Sequence, residues 1–216
     1  MSLISIVGIG DSTTAGTPAY RSPLEAPPNG SGDVESQYAY WLMQMHPDWR
    51  VHNRGVNGER SDQIRARFAR DVIAAAPATV VILAGVNDIY QGRPPSAVEH
   101  ELEAMYETAR AAGIAVVAAT ILPFNTATPD QNARMRAVNA WIASYAAAHG
   151  IVCADTRAAL AAPDNPDRLA SSPDDLHPSP DGYRLMALVI GPAVTRALKT
   201  AEKRPEPFSP DAPADA

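Results

Sequence analysis

The sequence predicts a doubly wound α/β fold, a parallel sheet of about five strands with helices on both faces and right-handed crossovers. Three observations predict it. Short, β-branched apolar runs alternate with segments of helical period along most of the chain. Those runs are apolar at successive positions, which suits strands buried on both faces of a parallel sheet. The 216 residues, 46% of them hydrophobic, are enough for one domain with a sizeable core.

The elements follow in order. "LISIVGI" reads as the first strand and "WRVHNRG" as a weaker second. "TVVILAG", "IAVVAATIL" and "IVCADT" read as the third, fourth and fifth. Between them, "SQYAYWLMQM" is apolar at helical spacing, and Ser61 is expected to cap a helix over "DQIRARFARDVIAAA", where Ile64, Phe68 and Val72 recur on one face. Ser96 with Glu99 makes a capping box for the next helix, which Gly113 ends. Thr128-Pro129 with Gln131 starts another, closed by Gly150. Ser179-Pro180 opens a last helix through about Lys199. Residues 17–36, rich in Pro, Gly and Ser, read as a long loop after the first strand, and long loops in compact domains are often functional. Residues 1–201 are therefore expected to form one domain. The Pro-, Ala- and acid-rich residues 202–216 are expected to be disordered.

Composition excludes several classes. The net charge is -6, and no basic patch or stripe marks a nucleic-acid surface. A single cysteine, Cys153, rules out an intrachain disulfide. The run after Met1 lacks a preceding Lys or Arg and is too short for a signal-peptide core, so a cytoplasmic location is expected. No stretch is long enough to span a bilayer. No His, Cys or Asp spacing suggests a metal site, and no cofactor is expected.

In open α/β sheets, ligands bind at the carboxyl ends of the strands. Here those ends offer Gly10-Asp11-Ser12, "NRGVNGERS", Gly85-Val86-Asn87-Asp88, "LPFN" and, after the fifth strand and a loop, "SSPDDLHPSPDGY". Position 13 is Thr where a dinucleotide fingerprint needs its third glycine, and no Lys precedes Lys199, so neither phosphate cradle survives. The G-x-S-x-G elbow fails too, because Gly10 and Thr14 flank Ser12. A nucleophile needs a base, an orienting acid and oxyanion donors. Asp174 lies three residues before His177, within reach of the ring's Nδ1 proton, which would leave Nε2 free to take a proton from Ser12. Pro178 and Pro180 stiffen this segment. The Ser12 N–H, a glycine N–H after the second strand and the Asn87 amide are suitable oxyanion donors.

Taken together, Gly10-Asp11-Ser12, "NRGVNGE", Gly85-x-Asn87-Asp88 and Asp174-x-x-His177 resemble the four blocks of the SGNH/GDSL hydrolases in order and approximate spacing, from the first strand to the last helix. The resemblance implies a flavodoxin-like three-layer α/β/α sandwich and a serine esterase acting on a small-molecule ester. It implies Ser12 as nucleophile, His177 as general base and acid, and Asp174 as its orienting acid. It also implies Gly58 rather than Gly55 as the oxyanion glycine, because the motif sets the donor just before an acidic or polar residue, here Glu59, with Asn87 as the third donor. Thr13 and Thr14 depart from the family's usual Leu and its neighbour. Acyl transfer to an alcohol through the same acyl-enzyme, or a non-catalytic binding module on the same fold, remain the alternatives.

Other residues have plainer readings. Asp11 and Asp88 are expected to bond backbone around the site, and Asp175 to be a solvated loop acid. His46, His100 and His149 are expected at helix ends or on helix surfaces. His52 lies just before the second block and could support the site, Tyr38 or Trp41 could edge a pocket, and Cys153 is expected in the core. The walls of a substrate pocket are expected from residues 17–36, from Tyr90 with "QGRPP", and from "LPFNTATPD".

Overall fold

A computed structural model of the chain describes residues 3–202. It begins with β1 (Ile4–Gly10) and the single-turn α1 (Ser12–Ala15), followed by a small antiparallel ribbon of β2 (Tyr20–Arg21) and β3 (Ser31–Gly32). Next come α2 (Tyr38–Met45), β4 (Trp49–Gly55), α3 (Ser61–Ala66), a π turn at Ala69–Ile73 and β5 (Thr79–Leu83). Then follow α4 (Val86–Tyr90), α5 (Pro95–Ala111), β6 (Ala115–Ala119), α6 (Pro129–His149) and β7 (Val152–Ala154). The chain closes with α7 (Thr156–Leu160), a ribbon of β8 (Ala161–Ala162) and β9 (Asn165–Leu169), and α8 (Pro180–Glu202).

The five-stranded sheet is parallel throughout, in the order β4-β1-β5-β6-β7. One layer, with α1, α2 and α8, packs on one face; α3, α5 and α6 pack on the other. β5 and β6 are buried along their whole length, which is why they carry no polar alternation. β4 does alternate, because it is the edge strand.

Local sequence explains most helix limits, and tertiary contacts explain the exceptions. Thr128 and Gln131 cap α6 reciprocally, with Pro129 at its first position and Gly150 after its end. The capping box expected of Ser96 does not form. Pro95 already sets a helical φ, so α5 starts two residues earlier than a Ser96 cap requires and Ser96 lies inside it. Ser61 likewise does not cap its helix: its N–H and hydroxyl both donate to Asp88, and Arg60 N–H is held by Gln63 instead. The helix expected over residues 62–76 is broken at Arg67, whose φ of -102° and ψ of 3° end α3 before the π turn. The long loop at residues 17–36 holds the β2-β3 ribbon and a 3-10 turn at Val34–Ser36. The last helix runs to Glu202, beyond Lys199; the tail expected to be disordered lies, from residue 203, outside the described residues.

Candidate active site

Gly10 pairs with Gly55 on one side and Leu83 on the other, so β1, β4 and β5 end level. The chain leaving these ends delivers Asp11-Ser12, Asn57-Gly58-Glu59 and Asn87-Asp88 to one edge of the sheet. Ser12 opens α1, a turn too short to persist on propensity alone. Asp11 holds the turn by accepting the Thr13 N–H at 2.9 Å. Gly55 lets the turn lie against β4: a Cβ there would come within 2.1 Å of the Ala15 nitrogen.

The segment before α8 folds back over this edge. Asp174 Oδ1 accepts the N–H groups of Leu176 (3.0 Å) and His177 (2.8 Å), and Ser172 Oγ donates to the His177 carbonyl at 2.7 Å. These bonds hold the imidazole with Nδ1 2.7 Å from Asp174 Oδ2 and Nε2 2.9 Å from Ser12 Oγ. With the ring neutral and protonated at Nδ1, Nδ1–H donates to the carboxylate and Ser12 Oγ–H donates to Nε2. Burial works to raise the Asp174 pKa, but the bonds from the His177 ring and from the His177 and Leu176 N–H groups outweigh it and hold the carboxyl below its ordinary value. Asp175 takes a different part. It sits at φ 63° and bonds Asn125, accepting the side-chain amide at its carboxylate and the N–H at its carbonyl.

The two glycines after β4 differ. The Gly55 N–H donates to Asn53 Oδ1 (3.0 Å) and its carbonyl accepts Ser22 Oγ–H (2.6 Å). Gly58 has φ 76°, open space where a Cβ would stand, and no acceptor for its N–H among the described residues. Asn87 Nδ2 donates one proton to the Glu59 carbonyl at 3.0 Å, which fixes the amide and leaves its second proton without an acceptor among the described residues. Asp88 is fully buried and accepts from Ser61 N–H, Ser61 Oγ–H and Arg93, tying α4 to α3. Asp11 is also buried. Burial, aided by the nearby charges of Asp88 and Glu59, pushes its pKa up to about 7 against the bonds from Thr13.

Ser12 and His177 open onto a cavity of about 180 Å³. Asn57 and Asn87 line its polar side; Val86, Tyr90, Leu122, Pro123, Phe124 and Leu176 line the rest. Tyr90 and Phe124 pack edge to face, with centroids 5.8 Å apart. The walls thus come from α4, the stretch after β6 and the turn before His177. Of the segments expected as walls, neither residues 17–36 nor "QGRPP" lines this cavity; the ribbon of the former packs beside β4. Tyr38 is buried with its hydroxyl on Thr14, and Trp41 donates to the Glu35 carbonyl, so neither edges the cavity. His52 is half-buried on β4, outside the cavity, its pKa lowered by burial and by Arg54 and Arg50. Cys153 is only half-buried, since β7 is an edge strand. Sequence reasoning passed over Leu176, although an apolar residue in the acidic turn "DDLHP", here 39% exposed, is a visible signal.

No cluster of three or more His, Cys, Asp or Glu could hold a metal among the described residues, and no helix among them is long and apolar enough to cross a membrane.

The architecture is shared with solved structures. The chain is 27% identical to a protein of the G-D-S-L lipolytic family from Desulfitobacterium hafniense DCB-2, with a TM-score of 0.72 over 88% of this chain and 98% of that one. A GDSL-like lipase from Bacteroides thetaiotaomicron VPI-5482 shares the fold at 24% identity and a TM-score of 0.71, over 89% and 88% of the two chains. So does an acetylxylan esterase from Geobacillus stearothermophilus, at 23% and 0.68, over 91% and 94%. No curated protein matches the chain. The class is therefore a three-layer α/β/α protein of the SGNH type. A sequence model of the GDSL-like lipase/acylhydrolase family matches residues 9–185, and the chain belongs to that family.

Proposed function

We propose that this protein is a serine esterase that hydrolyses carboxylic esters with short acyl groups, O-acetyl groups included. The observation that carries the reading is the line from Ser12 Oγ through the His177 ring to Asp174, with steps of 2.9 and 2.7 Å. Ser12 Oγ attacks the acyl carbonyl as Nε2 of His177 takes its proton. Asp174 holds the tautomer and offsets the imidazolium charge. The oxyanion receives the N–H groups of Ser12 and Gly58 and the free amide proton of Asn87. His177 returns the proton to the leaving alkoxide, the ester C–O bond breaks, and the acyl group stays on Ser12. Water then attacks the acyl-enzyme with His177 again as base, releasing the acid. The cavity favours small acyl groups: about 180 Å³ is below the roughly 300–1,000 Å³ of drug-sized sites, and its lining is mostly apolar.

Ser12→Ala tests the reading. Turnover of p-nitrophenyl acetate should fall to background while the circular dichroism spectrum stays unchanged. A folded variant that keeps wild-type turnover overturns it.

A further inference from the structure

Arg67 stands at the break between α3 and the π turn, only 8% exposed. Its guanidinium donates in three directions. Nη2 reaches the Gly10 carbonyl at 2.9 Å, Nε reaches Glu59 Oε2 at 2.7 Å, and Nη1 reaches Asp71 Oδ2 at 2.8 Å. The Gly10 carbonyl, two residues before Ser12, also accepts the Val56 N–H. Glu59 follows Gly58 directly, and its own carbonyl accepts Asn87 Nδ2. One planar cation thus ties the strand end that carries Ser12 to the turn that carries Gly58 and, through Glu59, to the amide of Asn87.

We propose that Arg67 is a positioning residue that sets the spacing of the three oxyanion donors. The inference rests on the proposed hole of Ser12, Gly58 and Asn87, which come from separate segments and share this contact. Burial itself argues for the geometry. A buried guanidinium is retained only with its donors satisfied, and here the fork engages a strand-end carbonyl and two carboxylates in fixed directions. Asp71 has a second partner in the exposed Arg70, so the Arg67–Asp71 pair alone does not account for an arginine at this position. Reaching Gly10 and Glu59 does. Lysine has one nitrogen and no fork, and cannot hold all three acceptors in these directions. An oxyanion donor displaced by about 1 Å costs transition-state stabilisation far more than substrate binding.

The test compares Arg67→Lys with wild type on p-nitrophenyl butyrate. The expected result is a kcat loss of about 10²-fold with KM within about twofold, the size of losing one oxyanion donor. Affinity for phenylboronic acid, which captures the serine as a tetrahedral adduct, should fall by a similar factor. Arg70→Gln, which weakens the same carboxylate without touching Gly10 or Glu59, should keep kcat. If Arg67→Lys does not fold, Glu59→Gln replaces it and should lower kcat about tenfold by loosening the same clamp, on the same scale. A folded Arg67→Lys or Glu59→Gln with wild-type kcat and boronate affinity overturns the proposal, as does an equal kcat loss in Arg70→Gln. If Ser12→Ala is inactive while those variants remain fast, the esterase reading stands and only the role of Arg67 falls.

Discussion

Asp174 engages the turn and the ring at once: one carboxylate oxygen collects two backbone N–H groups and the other faces His177 Nδ1. Its pKa lies below the ordinary carboxylate value, so the stability it contributes is present above its unfolded pKa and is lost as pH falls through the folded one. Asparagine at 174 would turn an N–H₂ group toward Nδ1 and favour the wrong tautomer. Asp174→Asn should lower kcat by roughly 10⁴-fold. At the neighbouring position, Asp175 has φ 63°, a conformation asparagine also adopts readily, and its partner is Asn125 rather than the ring. Asp175→Asn should therefore stay within about threefold of wild type, far short of the roughly 10²–10⁴-fold loss of a proton-transfer group. Steady-state kinetics on both variants checks the pair, and equal losses would reverse the two roles. The contact of Asp174 with the ring was legible in sequence because the reach from i to i+3 is local. The roles of Val86 and Leu176 as cavity walls were harder to read: each is the apolar residue within a polar block, and only the fold turns it toward the cavity beside Ser12.

At the scale of elements, the close contact of α1 with β4 constrains the position of Ser12. A methyl group at Gly55 would meet backbone, the Ala15 nitrogen at 2.1 Å and its Cα at 2.5 Å, so neither a rotamer change nor a side-chain shift relieves it. Gly55→Ala should destabilise the fold by about 1–3 kcal/mol and lower turnover as well, because α1 carries Ser12. Urea denaturation read beside kcat measures both; a stable and fully active variant would show that the two elements separate freely. The strands themselves were readable from continuous apolar runs. Helix starts were readable where capping was local, as at Thr128 and Gln131. They failed at Ser96, where Pro95 starts the helix first, and at Ser61, which spends its hydroxyl on Asp88, 27 residues on; the same helix ends early at Arg67, which reaches Gly10, 57 residues back.

For the whole molecule, the sequence's formal charge of -6 conceals a carboxyl that is half protonated near neutrality. Asp11 titrates at about 7 in the fold, against 3.8 for a free aspartate. Between those values the folded state holds a proton that the unfolded chain has lost. Stability therefore falls as pH rises through this window and levels off above it, by up to about 4 kcal/mol at 1.36 kcal/mol per unit. Depressed carboxyls such as Asp174 and Asp71 act in the opposite sense at lower pH. Asp11→Asn keeps an acceptor for the Thr13 N–H and removes the titration. Its urea midpoint should vary less between pH 5 and pH 8 than that of wild type and exceed it at pH 8. Parallel profiles for the two proteins would show that Asp11 does not carry the slope.

The sequence by itself determined the α/β class, the five sheet strands and the four polar blocks, because each is written in local periodicity or in short spacing. The motif it resembles also singled out Gly58 as the expected oxyanion glycine. Only the tertiary structure decided that Gly55 spends its N–H on Asn53 while Gly58 finds no acceptor among the described residues, that the ribbon at residues 17–36 leaves the cavity to α4 and the stretch after β6, and that Arg67 joins three segments of the site. The physical reason is the same in each case. Hydrogen-bond partners and cavity walls are settled by which distant segments meet at the carboxyl edge of the sheet, and a one-dimensional pattern carries no record of a partner dozens of residues away.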